Sequence, residues 1–213
     1  MDPGTVFKEA AVHGGRHGTT SAAELTRLDR LLDLSDAALL QLCSANPDVR
    51  IERNADGGLT IMSPSGSNTG GRNFNLAGQL WAWNQQARLG VAFDSSAGFS
   101  LPDGSMRAAD LAWVVQSRWD ALTEAEREGF APLCPDFVIE LTSPSDSLTA
   151  QQAKLLDWIA NGARLGWLID PNSRKVWIYR PGRETPELLA EATTVTGDDD
   201  VLPGFVLDLT KVW

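Results

Sequence analysis

Two apolar runs each carry a carboxylate where a strand would otherwise be uncharged: Asp110 in residues 109–115 (ADLAWVV) and Glu140 in residues 137–141 (FVIEL). A carboxylate buried in a strand is costly unless a cation or hydrogen-bond donors balance it. If the two strands are neighbours, Asp110 and Glu140 can share one cation, completed by a backbone carbonyl. Hard oxygen ligands around an open position suit metal-assisted hydrolysis by Mg²⁺ or Mn²⁺. Strand alternation puts Asp136 on the same face as Glu140, with Phe137, Ile139 and Leu141 on the other. Lys154 adds a cation: it is one of only four lysines, at 8, 154, 175 and 211, against fourteen arginines. It falls fourteen residues after Glu140, near the start of a helix returning from that strand. An ammonium there can orient an attacking water or offset charge growing on a phosphate oxygen. Each residue alone has a plainer reading, as a loop cap, a partner of an arginine at a strand end, or a solvated helix lysine; the three together carry the argument.

Other chemistries are excluded by composition. The only histidines, His13 and His17, lie in a Gly-rich leading segment, which removes Ser-His-Asp and Cys-His nucleophiles and the usual zinc sites. Neither a GxGxxG nor a GxxxxGK[ST] motif is present. Cys43 and Cys134, neither in a CxxC, are expected to be reduced thiols, which with the lack of a signal-peptide pattern favours a cytoplasmic protein. The net charge of −10 opposes a broad, sequence-blind grip on DNA, since such binding draws its affinity from Lys and Arg. The acidity is dispersed, however, and leaves room for a local basic strip. No apolar stretch approaches the roughly 20 residues of a membrane span.

The elements that must position these residues follow from periodicity and breakers. Residues 1–20 are expected to be a disordered tail, and 21–213 a single domain. Leu25, Leu28, Leu31 and Leu32 have helical spacing, and Ser35 should cap a helix over residues 36–45. Residues 49–64 read as a β-hairpin around Asn-Ala-Asp-Gly-Gly. A helix over 69–88 precedes one or two strands over 90–101, a turn at Pro102-Asp103-Gly104 and the Asp110 strand. A polar helix near 122–128, the strand over 135–141, a helix over 148–161 ended by Gly162, and a hairpin over 164–180 complete the predicted order. This is an α/β (α+β) arrangement, a mixed central sheet flanked by helices with an N-terminal helix and β-hairpin extension. The eight tryptophans read mainly as core. Ser95 and Ser96 suit a pocket wall or a turn; Arg72, Arg88 and Arg107 suit phosphate contacts or an ordinary surface.

The segments VRIERNADGGLTIMSPSG, FDSSAGFSLPDG, RAADLAWV, CPDFVIELTSPSDSL, QAKLLDWIANGARLGWLIDP, VWIYRPG and LPGFVLDL occur in this order. Together they resemble the Uma2 family of restriction-endonuclease-like proteins, of the PD-(D/E)xK nuclease superfamily, across residues 34–213. The resemblance implies a core of helix, three-strand meander, helix and strand. It places the Asp that opens the second core strand at Asp110 and its acidic partner at Glu140. The position of the strand lysine is Thr142, and the family's substitute from the following helix corresponds to Lys154. Asp136 and Glu52 are weaker additional candidates. The sequence departs from the family in having Ala109 before Asp110, where Pro is usual, and no histidine in SGSNTGGRN, but it keeps every proposed ligand.

The resemblance and the residues together predict a divalent-metal-dependent endonuclease. Asp110 and Glu140 would hold Mg²⁺ or Mn²⁺, Lys154 would complete the catalytic set, DNA would be the substrate, and the unit would be a homodimer without membrane association. Two other readings stay open: a catalytically silent nuclease-fold module that binds DNA or protein, and a metal-dependent hydrolase with another substrate.

Overall fold

The computed structural model describes residues 34–213; the expected tail over 1–20, the helical spacing of Leu25 to Leu32 and both histidines lie outside them. Helix α1 (Asp36–Ala45) begins where Ser35 caps it, its hydroxyl accepting from the Ala38 N–H at 3.3 Å. Strands β1 (Arg50–Arg53) and β2 (Leu59–Met62) form the predicted hairpin. They join β5 (Met106–Arg107) and β4 (Phe99–Ser100) in a four-stranded sheet of order β2-β1-β5-β4.

The second sheet contains β3 (Gly90–Asp94), β6 (Leu111–Val115), β7 (Phe137–Leu141), β8 (Leu165–Asp170), β9 (Lys175–Tyr179) and β10 (Glu187–Ala190), in the order β10-β9-β8-β7-β6-β3. Only β7 and β8 run parallel, and a parallel pair needs a crossover, which α5 (Leu148–Ala160) supplies. The long helix α2 (Ser67–Ala87) precedes β3, so α2, β3-β6-β7, α5 and β8 reproduce the expected core. A small β11 (Thr194–Thr196) and β12 (Val206–Asp208) ribbon and a 3₁₀ turn (Leu209–Lys211) close the chain.

Strand alternation divides this sheet into two faces. Leu111, Trp113, Phe137, Ile139, Leu165 and Trp167 pack with Leu76 and Leu80 of α2 and with Phe205 and Leu207. Ala112, Val114, Val138 and Leu168 face the other way, against Leu155 and Trp158 of α5. Asp110 and Glu140 share the parity of this second set and therefore face α5. Gly166 lets that helix sit close: a Cβ there would lie 2.7 Å from Leu155 Cδ1. Asn84, buried in α2, accepts from Trp113 Nε1 and donates to the Gly90 carbonyl, both at 2.9 Å, locking α2 to β3 and β6.

Two details differ from the sequence expectation. The polar helix near 122–128 is α4 (Glu124–Glu128), started by a capping box of Thr123 and Glu126, and an unexpected short helix, α3 (Gln116–Asp120), precedes it. The strand expected from Ala109 begins at Leu111, leaving Asp110 at its mouth. Cys43 and Cys134 are both free thiols. Among the described residues no helix is long and apolar enough to cross a membrane.

Candidate active site

The end of β7 opens into a cavity of about 800 Å³, walled by the start of α2, the mouth of β6, the loop after β7 and α5. Asp110, Glu140 and Lys154 all line it. Glu140 is 3% exposed and Asp110 8%. Asp110 Oδ2 accepts the Leu141 N–H at 2.8 Å and Oδ1 faces Arg50 Nη2 at 3.3 Å. That bond ties the mouth of β6 to the end of β7 and fixes the two carboxylates relative to each other.

Lys154 lies in the middle of α5 rather than near its start, and its side chain is almost enclosed. An ammonium has three donors. Here Nζ lies 3.0 Å from Glu140 Oε1 and 3.1 Å from Glu52 Oε1, and donates to the Ala108 carbonyl at 3.0 Å. The lysine is thus held in one place. Burial alone would lower its pKa, but the carboxylates of Glu140, Glu52 and Asp110 more than offset this, leaving it above the ordinary lysine value.

Glu140 is pushed up to about 7, first by burial; Lys154 pulls against this, while Asp110 and Glu52 add to it. Its Oε1 also accepts from Trp158 Nε1 at 2.8 Å. Among the described residues no donor is bonded to Oε2, which leaves one carboxylate oxygen available in the cavity. Two strand carboxylates, one with a free oxygen, form a hard donor set of the kind Mg²⁺ or Mn²⁺ takes, with carbonyl and water oxygens completing the shell. No group of three or more His, Cys, Asp or Glu side chains with metal-holding geometry occurs among the described residues, so such a site rests on this pair.

Of the two weaker candidates, the fold brings Glu52 into the cluster and keeps Asp136 out. Glu52, 2% exposed on β1, accepts from the Ala108 N–H at 3.2 Å, from Lys154, and from Arg107 Nη1 at 3.4 Å. Asp136 precedes β7 at its far end, where it accepts the Val115 N–H at 2.9 Å and pairs with Arg118 at 3.0 Å. It lies four positions before Glu140, about 13 Å along the strand. It fastens β7 to the β6–α3 junction instead.

Sequence reasoning missed Arg50 and Trp158, although a signal for each existed. Arg50 stands two residues before Glu52 on β1 and so shares its face, and Trp158 stands four after Lys154 on α5. Of the three arginines considered for phosphates, Arg107 is taken up by Glu52 and Asp157, and Arg88 ends α2 in the left-handed conformation. Arg72 lines the cavity. Ser95 lines it too, while Ser96 hydrogen-bonds back to Asp94 in a turn.

The comparisons agree with this fold. The crystal structure of "a putative nuclease belonging to DUF820" from Anabaena variabilis ATCC 29413 superposes with a TM-score of 0.66 over 84% of this chain and 97% of that one. At 22% identity, this likeness speaks for the fold. No curated protein matches the chain. The family model described as "Uma2: Putative restriction endonuclease" matches residues 36–210, the whole of both sheets and the cluster between them, and the chain therefore belongs to the Uma2 family.

Proposed function

We propose that this protein is a divalent-metal-dependent endonuclease that hydrolyses DNA phosphodiester bonds and works as a homodimer. The observation that carries the reading is the convergence of Asp110, Glu140 and Lys154 from three separate elements onto one cavity. Membership of a family described as "Putative restriction endonuclease" supports a nuclease, and the hard oxygen pair supports Mg²⁺ or Mn²⁺. Asp110 and Glu140 would hold the cation. When bound, it supplies Lewis-acid activation of the phosphate and of the attacking water. Lys154 would offset charge growing on the phosphoryl oxygens and, released from Glu140 as that carboxylate turns to the cation, would direct the freed donor to that water. Glu52 acts through Lys154 as a positioning residue, holding the ammonium against Glu140. Two-fold pairing gives each strand of a duplex its own site.

A second reading has an observation of its own. The ligand set stops at two carboxylates, Lys154 is saturated by its neighbours, and the whole chain carries a charge of −10. The first two features favour a catalytically silent nuclease-fold module that binds DNA or protein, and the charge favours protein over DNA within it. Plasmid nicking separates the readings: purified protein with Mg²⁺ or Mn²⁺ should nick supercoiled DNA, EDTA should stop it, and folded Asp110→Asn and Lys154→Ala should lack it. No nicking by wild-type protein in large excess, with either metal, would move the assignment to the binding module.

A further inference from the structure

The cavity has a second wall whose chemistry the carboxylate–lysine cluster does not use. α2 is 21 residues long, and it starts at the cavity with no side-chain cap: its N-cap is Gly66, and its first turn holds no acidic residue. The first N–H groups of such a helix lack intrahelical partners and carry the positive end of its dipole. Thr69, in that first turn, lines the cavity yet is only 6% exposed, and among the described residues its hydroxyl makes no hydrogen bond. One turn further, Arg72 is anchored by Nε to the Val212 carbonyl at 2.8 Å, while its Nη groups meet no carboxylate. Asn73 lines the cavity too, with Oδ1 buried and unpartnered and no hydrogen bond from Nδ2 among the described residues. Apart from the buried Asn73 oxygen, these unspent groups can donate a hydrogen bond. Backbone N–H groups, a hydroxyl and a guanidinium around one hollow match a tetrahedral oxyanion.

We propose that the start of α2, with Thr69, Arg72 and Asn73, is a phosphate-binding subsite that seats an internal phosphodiester of a nucleic-acid strand beside the reacting one. The inference rests on the nuclease reading for the identity of the strand; the oxyanion chemistry stands on the α2 wall alone. Asp110, Glu140 and Asp146 line the same cavity from the mouth of β6, the end of β7 and the loop after it, and Asp146 Oδ2 is occupied by the Ser143 N–H at 2.7 Å. The phosphate is therefore held by α2, and the carboxylates come from other elements of the same cavity. The subsite fixes which part of the strand reaches Asp110 and Glu140.

Gly66→Asp separates a binding role from a structural one. Gly66 has an extended conformation (φ −64°, ψ 158°), and a Cβ there meets nothing within 4 Å, so an aspartate fits as an N-cap. A capping carboxylate satisfies the free N–H groups and stabilises the helix, and it repels an anion from the same place. The variant should melt at or above the wild-type temperature while binding phosphate more weakly. Thr69→Val, which removes a hydroxyl without changing charge, should weaken binding about tenfold. Both are measured in EDTA, where nothing is cut, as thermal shift with inorganic phosphate against chloride at matched ionic strength. Fluorescence anisotropy with duplex and single-stranded oligonucleotides carrying either 5′-hydroxyl or 5′-phosphate ends provides the second readout. Oligonucleotides with 5′-hydroxyl ends that lose affinity in both variants support the internal phosphodiester. Loss confined to 5′-phosphorylated ends overturns that source in favour of a terminal phosphate. Phosphate and oligonucleotide binding unchanged in both variants overturns the subsite. Nicking by a protein whose binding ignores these changes leaves the nuclease reading standing without the subsite; variant-sensitive binding without nicking leaves the subsite standing without the nuclease.

Discussion

In metal-free protein, Glu140 should make folding stability fall as pH rises, and Glu140→Gln should remove that fall. Burial is the main cause of its displacement from an ordinary 4.5 to about 7; Lys154 opposes the displacement, and Asp110 and Glu52 add to it. The folded chain therefore holds this proton more tightly than the unfolded chain. The contribution to stability is fully present below pH 4.5 and is lost as pH rises through about 7. At roughly 1.4 kcal/mol per pH decade the complete loss is about 3 kcal/mol, most of it between pH 5 and pH 8. Carboxylates elsewhere contribute slopes of the opposite sign, but they are common to both proteins and cancel in the difference. Lys154, raised above its ordinary value, stays charged across this window, so losing one partner in the variant is a constant offset. The assay is urea unfolding followed by tryptophan fluorescence in EDTA at pH 5, 6.5 and 8, for wild type and Glu140→Gln. Parallel stability curves for the two proteins across that range would refute the reasoning, because they would mean that Glu140 titrates as it does in the unfolded chain.

Other consequences follow from the same geometry. Adding Mg²⁺ or Mn²⁺ at about a hundred times its dissociation constant should stabilise the wild type by about 2.7 kcal/mol, roughly 5 to 10 °C in Tm; Asp110→Asn and Glu140→Gln should show no shift, and an equal shift in either would place the ion elsewhere. Lys154→Met strands Glu52 and Glu140 in a nearly closed space and should cost about 3–5 kcal/mol in chemical denaturation, whereas an ordinary solvated lysine would cost almost nothing. Gly166→Ala forces a Cβ to within 2.7 Å of Leu155 Cδ1 and should cost about 1–3 kcal/mol while lowering nicking, since α5 carries Lys154; full stability and activity would show that α5 can shift freely. Light scattering at micromolar protein should give a dimer mass, and a monomer mass with or without DNA would count against the two-fold arrangement.

What was legible in the sequence was governed by short-range rules. Ser35 capped its helix, the Asn-Ala-Asp-Gly-Gly segment turned its hairpin, and strand parity put Asp110 and Glu140 on the face that α5 covers. Parity alone could not tell Asp136 from Glu140. Both occupy the same face of one strand, and only the pairing of β7 with β6 and the position of Arg118 decide that they serve opposite ends. Glu52 is a clearer case of long-range information: its place beside Lys154 depends on β1 pairing with β5, which brings together residues 102 positions apart. Arg50 was missed for the same reason, since its partner Asp110 lies sixty residues away.

The net charge of −10 looked like the strongest objection to a phosphate-bearing ligand, and the structure shows why it has little bearing on the site. Around the cluster, the carboxylates of Glu52, Asp110 and Glu140 face Arg50, Arg107 and Lys154 at 3.0–3.4 Å, so the acidic groups arrive with their countercharges. The start of α2 adds Arg72 and uncapped N–H groups with no acidic residue in its first turn. A phosphate entering the cavity therefore meets balanced charge at its floor and donors on one wall. The surplus acid is carried elsewhere, as in the exposed Glu124–Glu128 helix and at Asp199 and Asp200. At physiological salt such distant, solvated charges are screened within about 8 Å. The acidic surface should then depress non-specific binding to long duplexes without preventing a strand from engaging the cavity. Oligonucleotide affinity should consequently fall only shallowly with salt, and a slope equivalent to many phosphate contacts would contradict this local mode of binding.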